Sequence, residues 1–363
     1  MGLIEVRDLS KTFYSKDTHE INVLSNVSFS VQKGECFVVI GPNGSGKTTL
    51  LRILGLLENP TGGNFLYNGM ELSHLSRKNK VNFRRKFSYV RQKPVVRNTS
   101  VFNNIAYGLR VRGIKYENFL EKVNSIIETV GLKGMERKNA RSLSGGEMQR
   151  VAIAMNFIIS PEIYLLDEVS ANLDQMNHKL LDDFIKKIKQ DKDKTIIMST
   201  HDRFEAIKYA DRIAVLKNGT ISQIGTPDEI FKSPKDEFTA HFVGYENIFI
   251  GNAHLDKKTG LNHIKINDFS IIASDQREGE VKVCIHPESV IIAKNPPENV
   301  SSLNLFKGEV EEVRELGNIC HVIVNCGSKQ FLSTITQVSR DKLDLKPNTE
   351  VFINFKATDV KCL

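Results

Sequence analysis

Apolar residues along the first 240 positions follow two alternating patterns. Short runs with the length of β-strands are separated by stretches whose apolar residues recur every three or four positions, the spacing of an amphipathic helix. Several short runs are apolar at nearly every position, which is typical of strands buried on both faces of a parallel sheet. The predicted strands are 4–6, 35–40, 87–90, 163–166, 195–199 and 212–217, and the predicted helices are 47–57, 116–130, 147–159 and 177–189. This pattern predicts an α/β domain over residues 1–240.

The pattern changes near residues 240–246. Beyond that point apolar and polar residues mostly alternate, as in 307–313, which is the two-residue period of a strand with one buried face. Turn-forming residues separate the segments, and they lie at 258–260, 295–297, 327–328 and 346–348. We therefore predict a second, small all-β domain, a barrel, over residues 241–363.

The composition is that of a globular protein long enough for two domains. Of the 363 residues, 40% are hydrophobic and 26% are charged. A net charge of +7 and a pI of about 9.0 are compatible with nucleic acid, anionic lipid or nucleotide phosphates as partners, and equally with a lysine-rich solvated surface. Because lysine and arginine are dispersed without a long run, we expect no nucleic-acid partner.

Hydropathy and cysteine usage predict a cytosolic protein. The sequence has no apolar stretch of about 18 residues, which a membrane-spanning helix needs. Its first residues lack the charged and apolar regions of a signal peptide. The five cysteines have no zinc-type spacing, and we interpret them as reduced thiols. A disulfide between Cys320 and Cys326 is the less favoured alternative, since alternating strand positions also explain this pair.

Residues 41–48 match the phosphate-loop pattern G-x-x-x-x-G-K-[ST] between a predicted buried strand and a predicted helix. Glycines in such a loop let consecutive N–H groups face phosphate oxygens, and the start of the helix adds its positive end. Lys47 can reach the β- and γ-phosphates, and the hydroxyl of Thr48 can ligate Mg²⁺. The predicted nucleotide-binding residues here are Gly41, Asn43, Gly44, Ser45, Gly46, Lys47, Thr48 and Thr49. This segment alone predicts binding of ATP or GTP.

An acid pair, Asp167 and Glu168, ends the predicted strand 163–166. Acids at the carboxyl edge of a parallel strand lie beside a phosphate loop in this class of sheet. We predict that Asp167 holds Mg²⁺, through water, and that Glu168 polarises the water that attacks the nucleotide. The alternative is that the two acids only stabilise the start of a helix.

The remaining motifs identify a family. Residues 143–147, Leu-Ser-Gly-Gly-Glu, followed by Met-Gln-Arg, resemble the signature of ABC-transporter ATPases. Gln92, the segment 170–174 and His201 resemble the Q-loop, D-loop and H-loop of that family in order and spacing. The resemblance covers residues 1 to about 240. It implies a P-loop NTPase fold of the ABC ATPase type, which has a mixed sheet core and a helical subdomain, here at about 93–160.

The resemblance also implies a mechanism. In the family the signature faces the phosphate loop of a second subunit, so we expect a homodimer that binds ATP and Mg²⁺ at its interface. Glu168 is then the general base, His201 contacts the γ-phosphate, and Gln92 contacts Mg²⁺ and senses the membrane partner. Phe13 stacks on adenine, with Tyr14 as the alternative. The nucleotide-binding residues implied by the signature and D-loop are Ser144, Gly145, Gly146, Glu147 and Asp174.

Each of these motifs also has a simpler interpretation, and three positions depart from the family pattern. Ser144 can be a helix N-cap, Gln92 a polar loop residue and His201 a capping histidine. Glu147 replaces the more common Gln of the signature. Val169 stands where a Pro usually follows the acid pair, and Asn156 stands where an Arg is usual.

The second domain favours an importer. Residues 242–247 and 286–288 resemble the junction and the Arg-Pro-Glu element of the C-terminal β domain, here expected to be regulatory, of binding-protein-dependent import ATPases. Segments 301–308, 335–336 and 356–360 resemble a molybdate/tungstate-binding oligobindin (TOBE) module. Leu303 stands at its arginine position, and a charge-assisted hydrogen bond is thereby lost. Molybdate or tungstate is the predicted cargo, and an oxyanion in this domain is a possible further ligand.

The resemblance implies partners and leaves alternatives open. The implied partners are integral-membrane permease subunits and, indirectly, a solute-binding protein, which places the chain at the cytoplasmic face of the cell membrane. The same motor importing ferric iron, sulfate, polyamine or sugar is the first alternative. A soluble ABC ATPase acting on nucleic acid or ribosomes is the second. Such proteins usually carry two ATPase halves, whereas this chain has one phosphate loop and one signature.

Overall fold

A computed structural model describes residues 2–14, 20–91, 93, 95–171, 173–267 and 269–363, without the side chains of residues 77 and 118. The predicted site residue Gln92 lies outside the described residues. The chain divides into two compact units, Met1–Pro227 and Asp228–Leu363. This division lies earlier than the change of sequence pattern, and the domain boundary at residue 240 stays a prediction.

The first unit contains two sheets. One is six-stranded with the order β10-β9-β3-β8-β7-β6, and the other is four-stranded with the order β2-β1-β4-β5. The strands are β1 Ile4–Tyr14, β2 Glu20–Val31, β3 Cys36–Ile40, β4 Gly62–Tyr67, β5 Met70–Glu71, β6 Phe87–Val90, β7 Ile163–Asp167, β8 Thr195–Thr200, β9 Arg212–Lys217 and β10 Thr220–Gly225. Strands β6, β7, β8, β3 and β9 run parallel, and only β10 is antiparallel to its neighbour. Every residue of β3, β7 and β8 is buried, and the predicted parallel sheet is confirmed.

The four-stranded sheet was largely missed by the sequence pattern. The prediction of a three-residue strand at 4–6 is wrong in extent, because β1 continues to Tyr14, and β2 was not predicted at all. Strand β1 pairs with β2 and β4 through several register shifts, which interrupt the regular two-residue alternation. Its inner face joins the core of the parallel sheet, where Ile4, Leu9 and Phe37 are fully buried.

Helices cover the parallel sheet and form a separate apolar core. The helices of this unit are α1 Lys47–Leu54, α2 Arg77–Arg84, α3 Val101–Val111, α4 Leu120–Thr129, α5 Gly145–Phe157, α6 Gln175–Gln190 and α7 Arg203–Tyr209. Helices α3, α4 and α5 enclose a cluster that includes Ile105, Val123 and Val151. This cluster is the helical subdomain that the family resemblance implies, and its bounds of 93–160 stay a prediction. The predicted helix 116–130 is divided, because a 3₁₀ turn at Tyr116–Asn118 precedes α4.

The second unit is rich in β-strands, as predicted. Its two five-stranded antiparallel sheets have the orders β13-β12-β11-β14-β20 and β15-β19-β16-β17-β18. The strands are β11 Asn247–Asp256, β12 Leu261–Ile266, β13 Phe269–Ala273, β14 Gly279–Ile285, β15 Ile291–Ala293, β16 Asn304–Leu316, β17 Ile319–Cys326, β18 Lys329–Thr336, β19 Glu350–Phe355 and β20 Val360–Cys362. The remaining helices are α8 Pro227–Lys232, α9 Glu237–Val243 and α10 Gln337–Lys342.

Both sheets contribute to one core, in which Val322, Phe331 and Phe355 are fully buried. Cys320 and Cys326 are buried on alternating positions of β17 and are free thiols, so the alternative of a disulfide between them is wrong. No helix among the described residues is long and apolar enough to cross a membrane.

Candidate nucleotide site

The phosphate loop joins the buried strand β3 to helix α1. Gly44 and Gly46 have φ angles of 81° and 106°, in the left-handed region that favours glycine. A Cβ on Gly46 would lie 2.7 Å from both the carbonyl of Val23 and the side chain of Leu24. The loop is therefore closely packed beneath Gly46, while no neighbouring atom lies within 4 Å of a Cβ built on Gly44. Asn43, Gly44 and Thr48 are exposed on its open side.

Lys47 folds over this loop. Its Nζ donates hydrogen bonds to the carbonyls of Gly41 (2.8 Å) and Pro42 (3.0 Å). The same atom lies 3.2 Å from Oε1 of Glu168, and the lysine side chain is only 4% exposed. The nearby hydroxyl of Ser45 is buried without a hydrogen-bond partner. A buried cation, an unpaired hydroxyl and a helix N-terminus at one loop fit a polyanionic ligand such as a nucleotide phosphate.

Asp167 is buried at the end of β7 and accepts hydrogen bonds from three hydroxyl groups. Oδ1 accepts from Thr48 (3.0 Å) and Ser199 (2.7 Å), and Oδ2 accepts from the phenol of Tyr89 (2.7 Å). Burial, and then the neighbouring Asp167 carboxylate, raise the pKa of Tyr89 well above its usual value. The phenol therefore remains a donor at neutral pH. The proximity of Thr48 and Asp167 agrees with their prediction as one site.

Tyr89 and Ser199 were not among the predicted site residues. Ser199 pairs directly with Asp167 in the register of β7 and β8, and Tyr89 pairs with Leu165 in the register of β6 and β7. The available signal was that both residues are hydroxyl-bearing and lie near the carboxyl ends of strands adjacent to the acid pair. Using it requires the strand order, which the sequence pattern does not supply.

Glu168 lies between two cationic or ionisable groups. Its backbone has a φ of 47°, a left-handed conformation that is uncommon for residues other than glycine and is frequent at functional sites. Its N–H donates to the carbonyl (3.1 Å) and hydroxyl (3.2 Å) of Ser199. Its carboxylate reaches Lys47, and Oε2 lies 3.7 Å from Nδ1 of His201, whose side chain is 54% exposed. The structure thus brings together three predicted residues, Lys47, Glu168 and His201.

The signature segment opens helix α5. Ser144 is the N-cap, and it forms a capping box with Glu147. The N–H and the hydroxyl of Ser144 each donate to Oε2 of Glu147 at 2.8 Å. These two bonds, with the backbone N–H as the larger cause, lower the pKa of Glu147 below its usual range. The N-cap interpretation of Ser144 is confirmed, and its role at a nucleotide stays a prediction.

The D-loop residue Asp174 lies next to the signature. It is the N-cap of α6 and accepts a hydrogen bond from the N–H of Asn177 (2.8 Å). A Cβ on Gly146 would lie 3.2 Å from Oδ2 of Asp174, whereas Gly145 has open space above it. Among the described residues no hydrogen bond or ion pair joins residues 144–147 to the phosphate loop of the same chain.

The predicted adenine-binding residues lie on β1. Phe13 is 38% exposed and has Nζ of Lys11 at 4.6 Å from its ring centroid, and Tyr14 is 70% exposed. Both rings are accessible, so the choice between them stays a prediction.

The two residues that depart from the family pattern after the signature and the acid pair, Asn156 and Val169, are both packed within the chain. Asn156 accepts from the hydroxyl of Ser88 (3.0 Å) and donates to the carbonyl of Ala152 (2.7 Å), and Val169 is buried.

Comparisons with known proteins show which families this chain resembles. The family model described as ABC transporter matches residues 24–171, and the TOBE domain model matches residues 301–362. The chain is 34% identical to the molybdate/tungstate import ATP-binding protein WtpC of Pyrococcus horikoshii, over 95% of this chain and 97% of that protein. It is 33% identical to the spermidine/putrescine import ATP-binding protein PotA of Spiroplasma citri over 99% of both chains. It is 30% identical to the Fe(3+) ions import ATP-binding protein FbpC of Vibrio cholerae, over 93% of this chain and 94% of that protein.

Two solved structures are also similar to part of this chain. One is a dimeric ATP-binding cassette in a post-hydrolysis state bound to ADP and Pi, with a TM-score of 0.57 and 26% identity, covering 62% of this chain and 98% of that chain. Another is cbiO1 of Clostridium perfringens, part of an ABC transporter complex. Its TM-score is 0.55 at 26% identity, and the match covers 64% of this chain and 91% of that chain.

Proposed function

Because this chain belongs to the ATP-binding ATPases of ABC transporters, we propose that it couples hydrolysis of Mg·ATP to import of a solute. The observation that carries the proposal is the grouping of Lys47, Glu168 and His201 at the phosphate loop, with Thr48 and Asp167 beside them. These residues come from three separate segments of the chain. Each supplies a group that phosphoryl transfer requires: a cation, a base and oxygen ligands for a metal.

The residues present fit ATP and Mg²⁺. The buried, unpaired hydroxyl of Ser45 and the N-terminus of α1 are donors suited to phosphate oxygens. The hydroxyl of Thr48 and the carboxylate of Asp167 are 3.0 Å apart, and hard oxygen ligands of this kind are what Mg²⁺ prefers. Gln92 is the third proposed metal ligand. Bound Mg²⁺ would neutralise charge that develops on the phosphate oxygens.

In the proposed mechanism, Glu168 accepts the proton of the attacking water. The water oxygen forms a bond to the γ-phosphorus while the bond from that phosphorus to the leaving ADP oxygen breaks. Lys47 stabilises the negative charge on the transferred group, and His201 contacts the γ-phosphate. The short distances from Glu168 to Lys47 and His201 support these assignments, since both neighbours orient its carboxylate.

We further propose that two chains form a homodimer with two ATP molecules at the interface. The signature residues 144–147 have no bond to their own phosphate loop among the described residues, and the similar cassette bound to ADP and Pi is dimeric. The free N–H groups at the start of α5 are suited to the γ-phosphate bound by the second subunit. In the isolated chain, Glu147 holds the Ser144 hydroxyl, so this bond must open or rotate when the hydroxyl meets phosphate.

Replacing Ser144 in one subunit tests this arrangement. In a mixed dimer of one wild-type and one Ser144→Ala subunit, one composite site is intact and the other lacks the hydroxyl. We expect single-turnover ATPase measurements to show one normal and one slow site. The hydrolysis rate at the slow site should fall by about tenfold, because a hydrogen bond to charged phosphate is lost. A mixed dimer carrying Ser142→Ala, an exposed serine two positions earlier, is the matched control. Equal slowing of both sites in the Ser144 dimer would contradict the cross-subunit arrangement.

The proposed partners are integral-membrane permease subunits and, indirectly, a solute-binding protein, with the chain at the cytoplasmic face of the membrane. The relatives named above are import ATP-binding proteins, which supports this placement. Their cargoes differ, so the cargo rests on the C-terminal domain, whose resemblance to a molybdate/tungstate-binding module extends over the TOBE match. We propose molybdate or tungstate as the cargo.

The C-terminal domain is also proposed to bind an oxyanion. Ser302 and Lys356 lie in the resembling segments, and Leu303 is 52% exposed at the arginine position. Leu303 offers no donor there, and the Ser302 hydroxyl donates to Asn354 at 3.1 Å. Any anion would therefore depend on the remaining hydroxyl, ammonium and backbone N–H groups.

The complete transporter distinguishes the cargoes. With permease and solute-binding protein reconstituted in liposomes, we expect molybdate or tungstate to stimulate ATPase activity several-fold. Sulfate, spermidine and ferric iron are the parallel additions, and a solution without solute is the control. Stimulation by spermidine or ferric iron but by neither oxyanion would reject the cargo while leaving the ATPase assignment intact.

A further inference from the structure

Asp167 is held from three directions by hydroxyl groups on different elements. Thr48 lies on α1, Ser199 is the penultimate residue of β8, and Tyr89 lies on β6, the strand on the other side of β7. Oδ1 accepts two of the bonds and Oδ2 accepts the bond from Tyr89. Asp167 is 5% exposed, so few water molecules can replace a lost donor. A buried carboxylate that loses a donor without replacement is destabilised and free to rotate.

The three donors are not equivalent. Thr48 is itself a proposed metal ligand, because its hydroxyl can donate its proton to Asp167 and present a lone pair to a cation. Tyr89 and Ser199 have no such second role. Their hydroxyls donate to Asp167, one on each carboxylate oxygen.

We propose that Tyr89 and Ser199 are positioning residues that hold the Asp167 carboxylate in the orientation that receives Mg²⁺, and thereby set the affinity for the metal. This inference rests on the proposed magnesium role of Asp167. Of the two, Tyr89 has the larger effect, because it is the only donor among the described residues to Oδ2. Ser199 donates to the same oxygen, Oδ1, as Thr48, and its hydroxyl also accepts a hydrogen bond from the N–H of Glu168. Replacing Ser199 would therefore also disturb Glu168, the proposed base.

Tyr89→Phe is the sharpest test, because it removes the donor and keeps the ring that packs beside β7. The full chain is titrated with Mg²⁺ at a fixed concentration of a fluorescent ATP analogue, and the fluorescence change reports binding independently of hydrolysis. We expect the Mg²⁺ concentration at half-maximal effect to rise by about tenfold, the consequence of losing a hydrogen bond to a charged group. Binding of the analogue in EDTA should stay unchanged, since no hydrogen bond among the described residues joins Tyr89 to the phosphate loop.

Matched controls separate positioning from packing. Tyr164→Phe removes a phenol from the same buried sheet, on β7 but at the end away from Asp167, and Ser88→Ala removes a buried hydroxyl that bonds Asn156 instead. Both should leave the Mg²⁺ dependence at the wild-type value. A shift in Tyr164→Phe equal to that in Tyr89→Phe would overturn the inference, because it would indicate a general effect of losing a buried phenol.

A further variant distinguishes failure of this inference from failure of the proposed function. Asp167→Asn should raise the Mg²⁺ requirement strongly if Asp167 holds the metal. An unchanged Mg²⁺ dependence in Tyr89→Phe beside a raised one in Asp167→Asn would overturn the role of Tyr89 and leave the metal site standing. An unchanged dependence in both variants would overturn the metal site itself and, with it, this inference.

Discussion

Replacing Glu168 by glutamine should lower the rate of ATP hydrolysis by about 10²–10⁴-fold, the usual contribution of a general base, and leave ATP binding nearly intact. The amide has the shape of the carboxylate and keeps an acceptor oxygen for Lys47, but it cannot take a proton from water. The left-handed backbone at Glu168 is unchanged, since glutamine and glutamate have the same branching at Cβ. The loss is therefore expected in turnover and not in affinity.

Two measurements check this expectation: steady-state phosphate release and equilibrium binding of a fluorescent ATP analogue. Glu128→Gln is the matched control. Glu128 is an exposed acid on α4 that pairs with the exposed Lys133, and neither residue belongs to the proposed site. The control should retain wild-type turnover. Turnover of Glu168→Gln within about threefold of wild type, far less than general-base loss predicts, would remove Glu168 from the role of base.

Replacing Lys47 by alanine should abolish measurable ATP binding at concentrations that saturate the wild-type chain. Lys47 is buried, and its Nζ lies within hydrogen-bonding distance of two loop carbonyls and of Glu168. Its removal takes away the cation for the phosphates and leaves a partly buried carboxylate without its partner. Loss of one hydrogen bond between charged groups corresponds to a change of about 10- to 150-fold in affinity. The additional negative field of Glu168 makes the loss larger for a polyanion.

Binding of ATP by calorimetry or fluorescence, in parallel with thermal unfolding, tests the Lys47 variant. Lys33→Ala is the matched control, since Lys33 is an exposed lysine with a surface ion pair to Asp193, and such pairs contribute little. We expect the control to bind ATP as wild type does. If Lys47→Ala unfolds at the wild-type temperature and still binds ATP with wild-type affinity, the phosphate-loop assignment of Lys47 is wrong.

The sequence predicted several of the residues that the structure brings together at the candidate nucleotide site, because parallel strands end at a common edge. Strands β3, β7 and β8 were recognisable as apolar runs. The phosphate loop and His201 directly follow β3 and β8, and the acid pair lies at the end of β7. Once the strands are parallel and adjacent, these loops must meet. Glu168 accordingly lies 3.2 Å from Lys47 and 3.7 Å from His201, although it is 33 positions from His201 and more than one hundred from Lys47 in the sequence.

The sequence pattern did not predict strands whose burial is irregular, or residues whose hydrogen-bond partner is distant in the sequence. The extent of β1 and the existence of β2 were missed, because register shifts break the alternation on which strand prediction depends. Tyr89 and Ser199 were missed for a different reason. A tyrosine and a serine within apolar strands are ordinary residues until the neighbouring strand is known, and their role depends on facing the same carboxylate.

The sequence by itself therefore determined the features that depend on consecutive residues. The glycines of the phosphate loop permit left-handed backbone, Ser144 and Glu147 are three positions apart in a capping box, and the acid pair follows a buried strand. Only the tertiary structure decided which distant residues contact these groups. The hydroxyls around Asp167 come from residues 48, 89 and 199, and they converge because strand order and register, which arise from packing of the whole sheet, place them on one carboxylate.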